Sequence, residues 1–144
     1  MKIIELGVQD MAQLAQWEKV CFKEPWSYDQ LVQECHRNPF FHGVALKWNK
    51  DIIGYAILWL IYEQAQVARV AILPPFRNSG YGKLWMEMIK KYCQEKGCQK
   101  CTLEVRASNR SAISMYEKAG FQCIHTVEKY YSDGEDAKVY ENQC

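Results

Sequence analysis

One short turn of this chain combines the residue types that bind anions in proteins. Arg77, Gly80 and Gly82 come directly after an apolar run that stops at Pro74-Pro75 and directly before an amphipathic helical pattern. The first amides of a helix have no intrahelical partners, and together with the helix dipole they attract anions. Glycines there remove Cβ atoms where a phosphate must approach the backbone. The turn therefore predicts a phosphate-binding loop.

Three kinds of phosphate loop can be compared with this turn. A Walker loop requires glycine at position 77 and serine or threonine at position 84, but the chain has Arg77 and Leu84. A dinucleotide-binding G-x-G-x-x-G requires a third small residue where Trp85 stands. The Arg-x-x-Gly-x-Gly turn that holds the pyrophosphate of coenzyme A is satisfied in full. On this motif alone, a glycine-rich turn that binds nothing remains the alternative.

Glu104 and Tyr116 could act as an acid–base pair. Glu104 lies between apolar Leu103 and Val105 on a predicted short strand, so its carboxylate faces either solvent or a cleft. Tyr116 shares one face of a predicted helix with Ile113, and a phenol with a pKa near ~10 can donate a proton to a thiolate leaving group. On residue type alone, a solvated carboxylate and a core aromatic are the simpler explanation.

Two other patterns are weaker candidates for chemistry. Cys98 and Cys101 form a C-x-x-C pair where a predicted helix runs into a strand, an end at which the helix dipole does not favour a thiolate. No second pair completes a zinc site, so neither a redox nor a metal site is predicted. The histidines are scattered, which leaves a histidine base as the weaker alternative: His36, His42 and His125.

The elements that must position these residues follow from hydrophobic periodicity and turn residues. A capped helix start is predicted at Asp10, and Ser27 with Gln30 fits a capping box. The strands are predicted at 2–6, 40–48, 51–61, 65–73, 101–105, 121–131 and 136–142, and the helices open at 10, 27, 80 and 109. This order implies one domain over residues 1–144, with a mixed α/β sheet and helices on both faces.

Composition excludes several functional classes. The chain has 144 residues, about one domain, and 49% of them are hydrophobic, so disorder is not expected. A net charge of +1 argues against broad nucleic-acid binding. No apolar run approaches ~18 residues, so no membrane span is expected. Seven cysteines without a signal-peptide pattern predict reduced thiols and a cytoplasmic location.

Four motifs taken together resemble the GNAT family of N-acetyltransferases from one end of the chain to the other. They are Pro25-Trp26-Ser27, the Arg77–Gly82 loop, Leu103-Glu104-Val105-Arg106 with Ser108-Asn109, and Tyr130-Tyr131 followed by Gly134-Glu135-Asp136-Ala137. More narrowly, they resemble the RimI-type enzymes, which acetylate the N-terminal alanine of a small-subunit ribosomal protein. The resemblance implies the GNAT fold: a mostly antiparallel central sheet with a splayed central strand pair and helices on both faces.

The resemblance also implies direct transfer from acetyl-CoA to an amine, with no metal and no acyl-enzyme. Glu104 would be the general base, directly or through water, and Tyr116 the general acid for the departing thiolate. The backbone of Val70, Ala71 and Ile72 would pair with the pantetheine arm like an added strand. The remaining cofactor contacts would come from Arg77, Asn78, Ser79, Gly80, Tyr81, Gly82 and Asn109.

On the acceptor side, the resemblance implies a protein N-terminus, from a ribosomal protein, and neither nucleic acid nor membrane. Family members carry asparagine where Arg69 stands and acidic residues around Gln64 and Gln66. These departures leave another protein N-terminus, a lysine side chain or a small amine open as acceptors. A non-catalytic CoA-binding module is a third hypothesis, which the presence of the acid–base pair disfavours. The candidate acceptor-binding residues are Trp26, Glu63, Arg69, Tyr130 and Tyr131.

Overall fold

The computed structural model describes residues Met1 to Cys144, and it confirms the predicted order of strands and helices. The strands are β1 (Lys2–Leu6), β2 (Phe41–Trp48), β3 (Asp51–Ile61), β4 (Gln64–Ile72), β5 (Lys100–Arg106), β6 (Gln122–Val127) and β7 (Ala137–Gln143). The helices are α1 (Met11–Cys21), α2 (Tyr28–Arg37), α3 (Tyr81–Glu95) and α4 (Arg110–Lys118), with short 3₁₀ turns at Val8–Asp10 and Pro74–Phe76. None of the helices combines the length and apolarity needed to cross a membrane.

The strands form one sheet in the order β1-β2-β3-β4-β5-β7-β6. Every neighbouring pair is antiparallel except β4 and β5, which are parallel because α3 carries the chain back across the sheet between them. This confirms the mixed, mostly antiparallel sheet predicted above.

Helices cover both faces of the sheet, and each face has its own apolar core. The larger core lies under α3 and α4, where Trp85, Met86 and Ile89 of α3 are fully buried. The smaller core lies under α1 and α2, and Met11 and Leu14 are fully buried there. The two faces of the sheet are named below the α3/α4 face and the α1/α2 face.

Local signals fix the helix ends close to the predicted positions. Ser27 and Gln30 form the expected capping box, with Ser27 Oγ accepting from the Gln30 amide at 3.1 Å and Gln30 Oε1 accepting from the Ser27 amide at 2.8 Å. The chain leaves α3 through Gly97 at φ +98°, where the Cys98 amide donates to the Cys93 carbonyl. Asn109 caps α4 by accepting from the Ala112 amide at 3.2 Å.

The sixth strand is shorter than predicted. Alternation predicts a strand through Tyr131, but β6 ends at Val127. Lys129 then takes φ +51°, and its amide donates to Oδ1 of Asp136 instead of to a strand partner. The Tyr131 amide likewise donates to the Glu135 carbonyl. Local hydrogen bonds therefore lift residues 128–136 out of the sheet as a loop, called here the tyrosine loop.

All seven cysteines are free thiols. Cys93, Cys98 and Cys101 are buried, and the Sγ atom of Cys101 lies 2.8 Å from that of Cys144. Burial raises the pKa of Cys144 to about 12, and the neighbouring Cys93 thiol, together with burial, raises the pKa of Cys101. These two thiols stay protonated near neutral pH, so they behave as small apolar side chains.

Candidate active site

The sheet opens between its two central strands. β4 and β5 pair only along Gln64–Val67 and Lys100–Leu103. Beyond that point β4 continues through residues 68–72, about 16 Å of extended chain, without a partner on that side. Residues 104–106 of β5 pair only with β7. The resulting gap between the strands is called the cleft.

A β-bulge marks the point where the cleft begins. On β3, Ile57 pairs with Arg69 and Leu58 pairs with Val67, which leaves Ala68 as an extra residue on β4. A bulge bends its strand and strengthens the local twist. The bend turns the rest of β4 away from β5, while β5 stays bonded to β7.

The free edge of β4 is suited to an extended ligand. Val70, Ala71 and Ile72 have no strand partner on the β5 side, so their outward backbone groups can bond to a ligand that runs along them like an added strand. One of these groups is already used, because Nε of Arg77 donates to the Ile72 carbonyl at 2.8 Å. Arg77 thus anchors the start of the following loop to the end of β4.

The loop from Arg77 to Gly82 presents unused amides beside the cleft. The amides of Asn78, Ser79 and Gly80 donate no hydrogen bond within the chain. Asn78 has φ +60° and Gly80 has φ +84°, and such left-handed residues curl successive amides around one point. Helix α3 begins at Tyr81, and its dipole points at the same place. These residues fit the pyrophosphate of a CoA-type ligand.

The two glycines of the loop differ in their surroundings. A Cβ atom on Gly82 would come within 3.0 Å of Sδ and Cγ of Met115 on α4, the flexible end of a side chain that would have to move. A Cβ on Gly80 would meet nothing within 4 Å, and the positive φ there favours glycine. The start of α3 therefore lies against α4, the helix that carries Tyr116.

Glu104 faces the α1/α2 side of the cleft. Its neighbours Leu103 and Val105 are buried in the larger core, so the side chain between them points to the opposite face. The nearby Glu104 carboxylate, together with partial burial, raises the pKa of Tyr130 to about 12. Burial and the same carboxylate raise the pKa of Tyr131. The carboxylate is therefore partly exposed and bordered by two phenols.

Ionic contacts fold the tyrosine loop over Glu104. Nη1 of Arg106 lies 2.8 Å from Oδ2 of Asp133 and 3.0 Å from Oε1 of Glu135. Oε2 of Glu135 accepts from the Ser108 amide at 2.8 Å. The Arg106 guanidinium also lies 4.1 Å above the ring of Tyr131, within cation–π range. Arg106 and Glu135 thus hold the two tyrosines in place.

Tyr116 reaches the cleft from the α3/α4 face. Its ring is only 6% exposed and packs against Phe121 and Tyr140, with centroids 6.2 and 6.5 Å away. Its hydroxyl forms no hydrogen bond within the chain and is not sealed from solvent. Burial raises the pKa of Tyr116 above its ordinary value. The phenol is a neutral donor without a partner.

The predicted acceptor-side residues fall into two groups. Trp26 stacks on Trp59 at 6.2 Å, and the Arg69 guanidinium lies 5.8 Å from the Trp26 ring; Ser132 of the tyrosine loop donates at 3.1 Å to Glu24, two residues before Trp26. Glu63 instead lies in the turn before β4, about 20 Å of strand away from Arg69. The structure therefore brings Glu63 together with none of the others.

Sequence reasoning missed Glu18, the one charged residue buried in either core. Its position was readable, because Met11, Leu14, Ala15 and Glu18 have helical i, i+3, i+4, i+7 spacing. An acidic residue on an otherwise apolar helix face indicates a buried partner. That partner is Arg69, with Nε 3.0 Å from Oε1 of Glu18.

Known proteins resemble this chain along nearly its whole length. The family model for the acetyltransferase (GNAT) family matches residues 11–121. The [ribosomal protein bS18]-alanine N-acetyltransferase of Haemophilus influenzae is 33% identical over 129 residues, covering 90% of this chain and 86% of that protein. An N-alpha-acetyltransferase of Sulfurisphaera tokodaii is 35% identical over 149 residues, covering 94% and 89%. The crystal structure of the Escherichia coli ribosomal-protein-S18-alanine N-acetyltransferase superimposes with a TM-score of 0.86 at 26% identity, covering 99% and 92%.

Proposed function

The chain belongs to the GNAT family of acetyl-CoA-dependent N-acetyltransferases, and on that premise we propose that its acceptor is the N-terminal alanine of a small-subunit ribosomal protein. The observation that supports the catalytic part is that two proton-transfer groups lie on opposite faces of the sheet. Glu104 lies on the unpaired part of β5 and faces α1 and α2, and Tyr116 belongs to the α3/α4 face. An amine can enter on one side while a thiol leaves on the other.

We assign the acetyl-CoA site to the free edge of β4 and the loop after it. The pantetheine amides bond to the backbone of Val70–Ile72, because those groups lack a strand partner. The pyrophosphate binds the free amides of residues 78–80 and the start of α3. Together these contacts place the thioester in the cleft. Asn109 caps α4 with its carbonyl oxygen, which leaves its amide nitrogen available to the ligand.

Glu104 takes a proton from the acceptor amine, directly or through water. An α-amine has an ordinary pKa near ~8, so much of it is protonated at neutral pH and a base must help to supply the free amine. The nitrogen then attacks the thioester carbonyl, a C–N bond forms and the C–S bond breaks. Glu104 holds the proton that the amine gives up.

Tyr116 supplies a proton to the sulfur that leaves. Burial raises its pKa, so the phenol is fully protonated at neutral pH. Its hydroxyl has no competing partner within the chain, so it is free to donate to the thiolate. The products are an acetylated N-terminus and a free thiol.

The choice of acceptor rests on the relatives and on the walls of the cleft. Two similar proteins are named as ribosomal-protein alanine acetyltransferases. Two aromatic side chains border Glu104 on the acceptor side, those of Tyr130 and Tyr131. Such walls suit a small, uncharged first residue like alanine. The S. tokodaii relative favours the second candidate, another protein N-terminus.

The direct test measures acetyl transfer from acetyl-CoA to a panel of amines, analysed by mass spectrometry. The panel contains the N-terminal peptide of ribosomal protein bS18, the same peptide with serine, methionine or aspartate first, an N-blocked lysine peptide, and spermidine. We expect the alanine peptide to have the highest kcat/KM. A preference for the lysine peptide or spermidine would contradict the proposal, and a preference for another first residue would favour the second candidate.

A further inference from the structure

A buried carboxylate lies directly behind the acceptor side of the cleft. Glu18 on α1 is completely buried, and its carboxylate accepts three hydrogen bonds. The donors are the Tyr55 hydroxyl at 2.5 Å, the Trp26 amide at 2.9 Å and Nε of Arg69 at 3.0 Å. Burying a charge is unfavourable unless it is paired and hydrogen-bonded, and this one is both.

The partner cation is fixed against the segment between α1 and α2. Nη2 of Arg69 donates to the Glu24 carbonyl at 2.5 Å. The guanidinium lies 4.0 Å above the ring of Phe22 and 5.8 Å from that of Trp26. Arg69 therefore touches the segment Phe22–Trp26 at three residues, and Glu18 holds the same segment through the Trp26 amide.

This ion pair borders the path of the acceptor. The Arg69 side chain is 20% exposed, and its charge acts on the pKa of Tyr131, which faces Glu104. The tyrosine loop meets the same segment, because Ser132 Oγ donates to Oε1 of Glu24 at 3.1 Å. Arg69 is thus the cation placed between the buried network and the mouth of the cleft.

We propose that Glu18 determines the charge selectivity of the acceptor site by neutralising and restraining Arg69. This rests on the proposed function, in which an amine enters beside Tyr131. The Glu18 carboxylate neutralises the charge of the guanidinium and holds it against the segment Phe22–Trp26. The site therefore accepts an uncharged side chain next to the amine. Without that charge, the same guanidinium can bind a carboxylate on the acceptor. Glu18 is a positioning residue, since it acts only through Arg69.

The test changes the charge of Glu18 while keeping its size. Glu18→Gln is assayed with acetyl-CoA and three peptides that differ only at their start: Ala-Ala, Asp-Ala and Ala-Asp. For each acidic peptide we compare kcat/KM with that for Ala-Ala. In Glu18→Gln this ratio should be about tenfold higher than in the wild type for at least one of the two acidic peptides, and the rise should come from a lower KM for that peptide. The KM for acetyl-CoA should not change. A purely structural role would lower the activity on all three peptides together.

Two further variants show whether the effect runs through Arg69. In Glu18→Gln/Arg69→Gln the gain on acidic peptides should disappear, because the cation is gone. Tyr55→Phe removes one donor to Glu18 but keeps the charge, and it should leave the peptide ratios within about twofold. Hydrogen exchange at the Trp26 amide gives a readout independent of activity, and it should speed up in Glu18→Gln.

Arg69→Gln alone keeps the proposal testable if Glu18→Gln does not fold. It leaves a net negative charge, so a peptide beginning Ala-Lys should gain several-fold over Ala-Ala. Unchanged ratios in a folded variant would overturn the selectivity proposal while leaving the proposed function standing. If the wild type acetylates no peptide α-amine at all, the proposed function is wrong and the selectivity proposal is wrong with it.

Discussion

The two ends of the β4–β5 strand pair are built in opposite ways. At the paired end, Ala65 and Val67 lie next to Cys101 and Leu103, and all four are buried with their backbones bonded across the ladder. At the open end, from Ala68 onward, the strands separate, and on its β5 side β4 has no strand partner.

One bulge thus separates the paired part of β4 and β5, which stabilises the fold, from the open part, which carries the candidate chemistry. The paired end resembles the interior of any sheet, since each backbone group has a partner and each thiol is protonated. The open end leaves backbone groups of β4 free and places Glu104 on the part of β5 that pairs only with β7. Changes at the open end should therefore alter turnover, and changes at the paired end should alter the free energy of unfolding.

The largest effect is expected from Glu104→Gln at the open end. The amide keeps the size of the side chain but cannot accept the proton of the amine, so kcat/KM at pH 7 should fall by about 10²–10⁴-fold. Glu141→Gln is the matched control, because Glu141 lies on β7 at the paired end and its carboxylate forms an ion pair with Lys100, at 2.9 Å. Steady-state kinetics that gave both variants wild-type turnover would remove Glu104 from the mechanism.

Tyr116→Phe is expected to come second, with a loss of about a hundredfold in kcat. Because the hydroxyl has no partner within the chain, the melting temperature should stay the same. Tyr140→Phe is the control within the same aromatic cluster, since its hydroxyl donates to Glu117 at 3.2 Å, away from the cleft. Equal losses of activity in the two variants would indicate a packing effect instead of proton donation.

Two glycines with positive φ, one beside the open end and one beside the paired end of the β4–β5 pair, allow the effects of the same substitution to be compared. Gly80 (φ +84°) and Gly97 (φ +98°) both have open space around the missing Cβ, so alanine costs each about 1–2 kcal/mol in backbone conformation. Gly80→Ala should also raise the KM for acetyl-CoA about tenfold, because it lies among the free amides. Gly97→Ala should lower the melting temperature alone, and a comparable rise of its KM would contradict the comparison.

Cys101→Ala should change stability but not turnover. The thiol is fully buried at the paired end, so its loss should destabilise the fold by about 1 kcal/mol. The kcat and both KM values should stay within about twofold of the wild type. Cys123→Ala, at an exposed site on β6, should change neither stability nor turnover. Thermal unfolding and steady-state kinetics of both variants test this prediction.

The smallest change is expected in the pH profile above pH 8.5. A general acid works only while protonated, so activity is lost above its pKa; burial raises the pKa of Tyr116, which moves that loss upward. The profile of kcat/KM should therefore rise with deprotonation of the amine and then stay level within about twofold to pH 9.5. A fall between pH 8 and 9.5 would show that a group other than Tyr116 supplies the proton.

Local patterns were enough to predict much of this fold. The capping box at Ser27, the stop at Pro74-Pro75 and the glycine turn before α3 each depend on a few adjacent residues, and each lies where it was expected. The free amides of the loop before α3 agree with the anion site predicted there, which stays a prediction.

Features that depend on distant partners were not predictable. The Glu18–Arg69 pair joins residues 51 positions apart, and nothing near either one indicates the other. The end of β6 depends on Asp136 accepting from the Lys129 amide across the tyrosine loop, whereas the alternation of residues 121–131 continues past it. The bulge at Ala68 leaves only a small shift in periodicity within an apolar run.

That bulge has a consequence for how this sequence can vary over time. Ala68 and Arg69 both face α1 and α2, whereas strict alternation would turn Arg69 toward α3 and α4. Deleting either of these two residues would remove the bulge and restore regular alternation, so that Val70 and Ile72 would still face α3 and α4 while β4 would no longer bend away from β5. Side chains at this point can be substituted one at a time, but the loss of a single codon would straighten the strand and close the cleft, so we expect natural selection to conserve the length here more strictly than the residues.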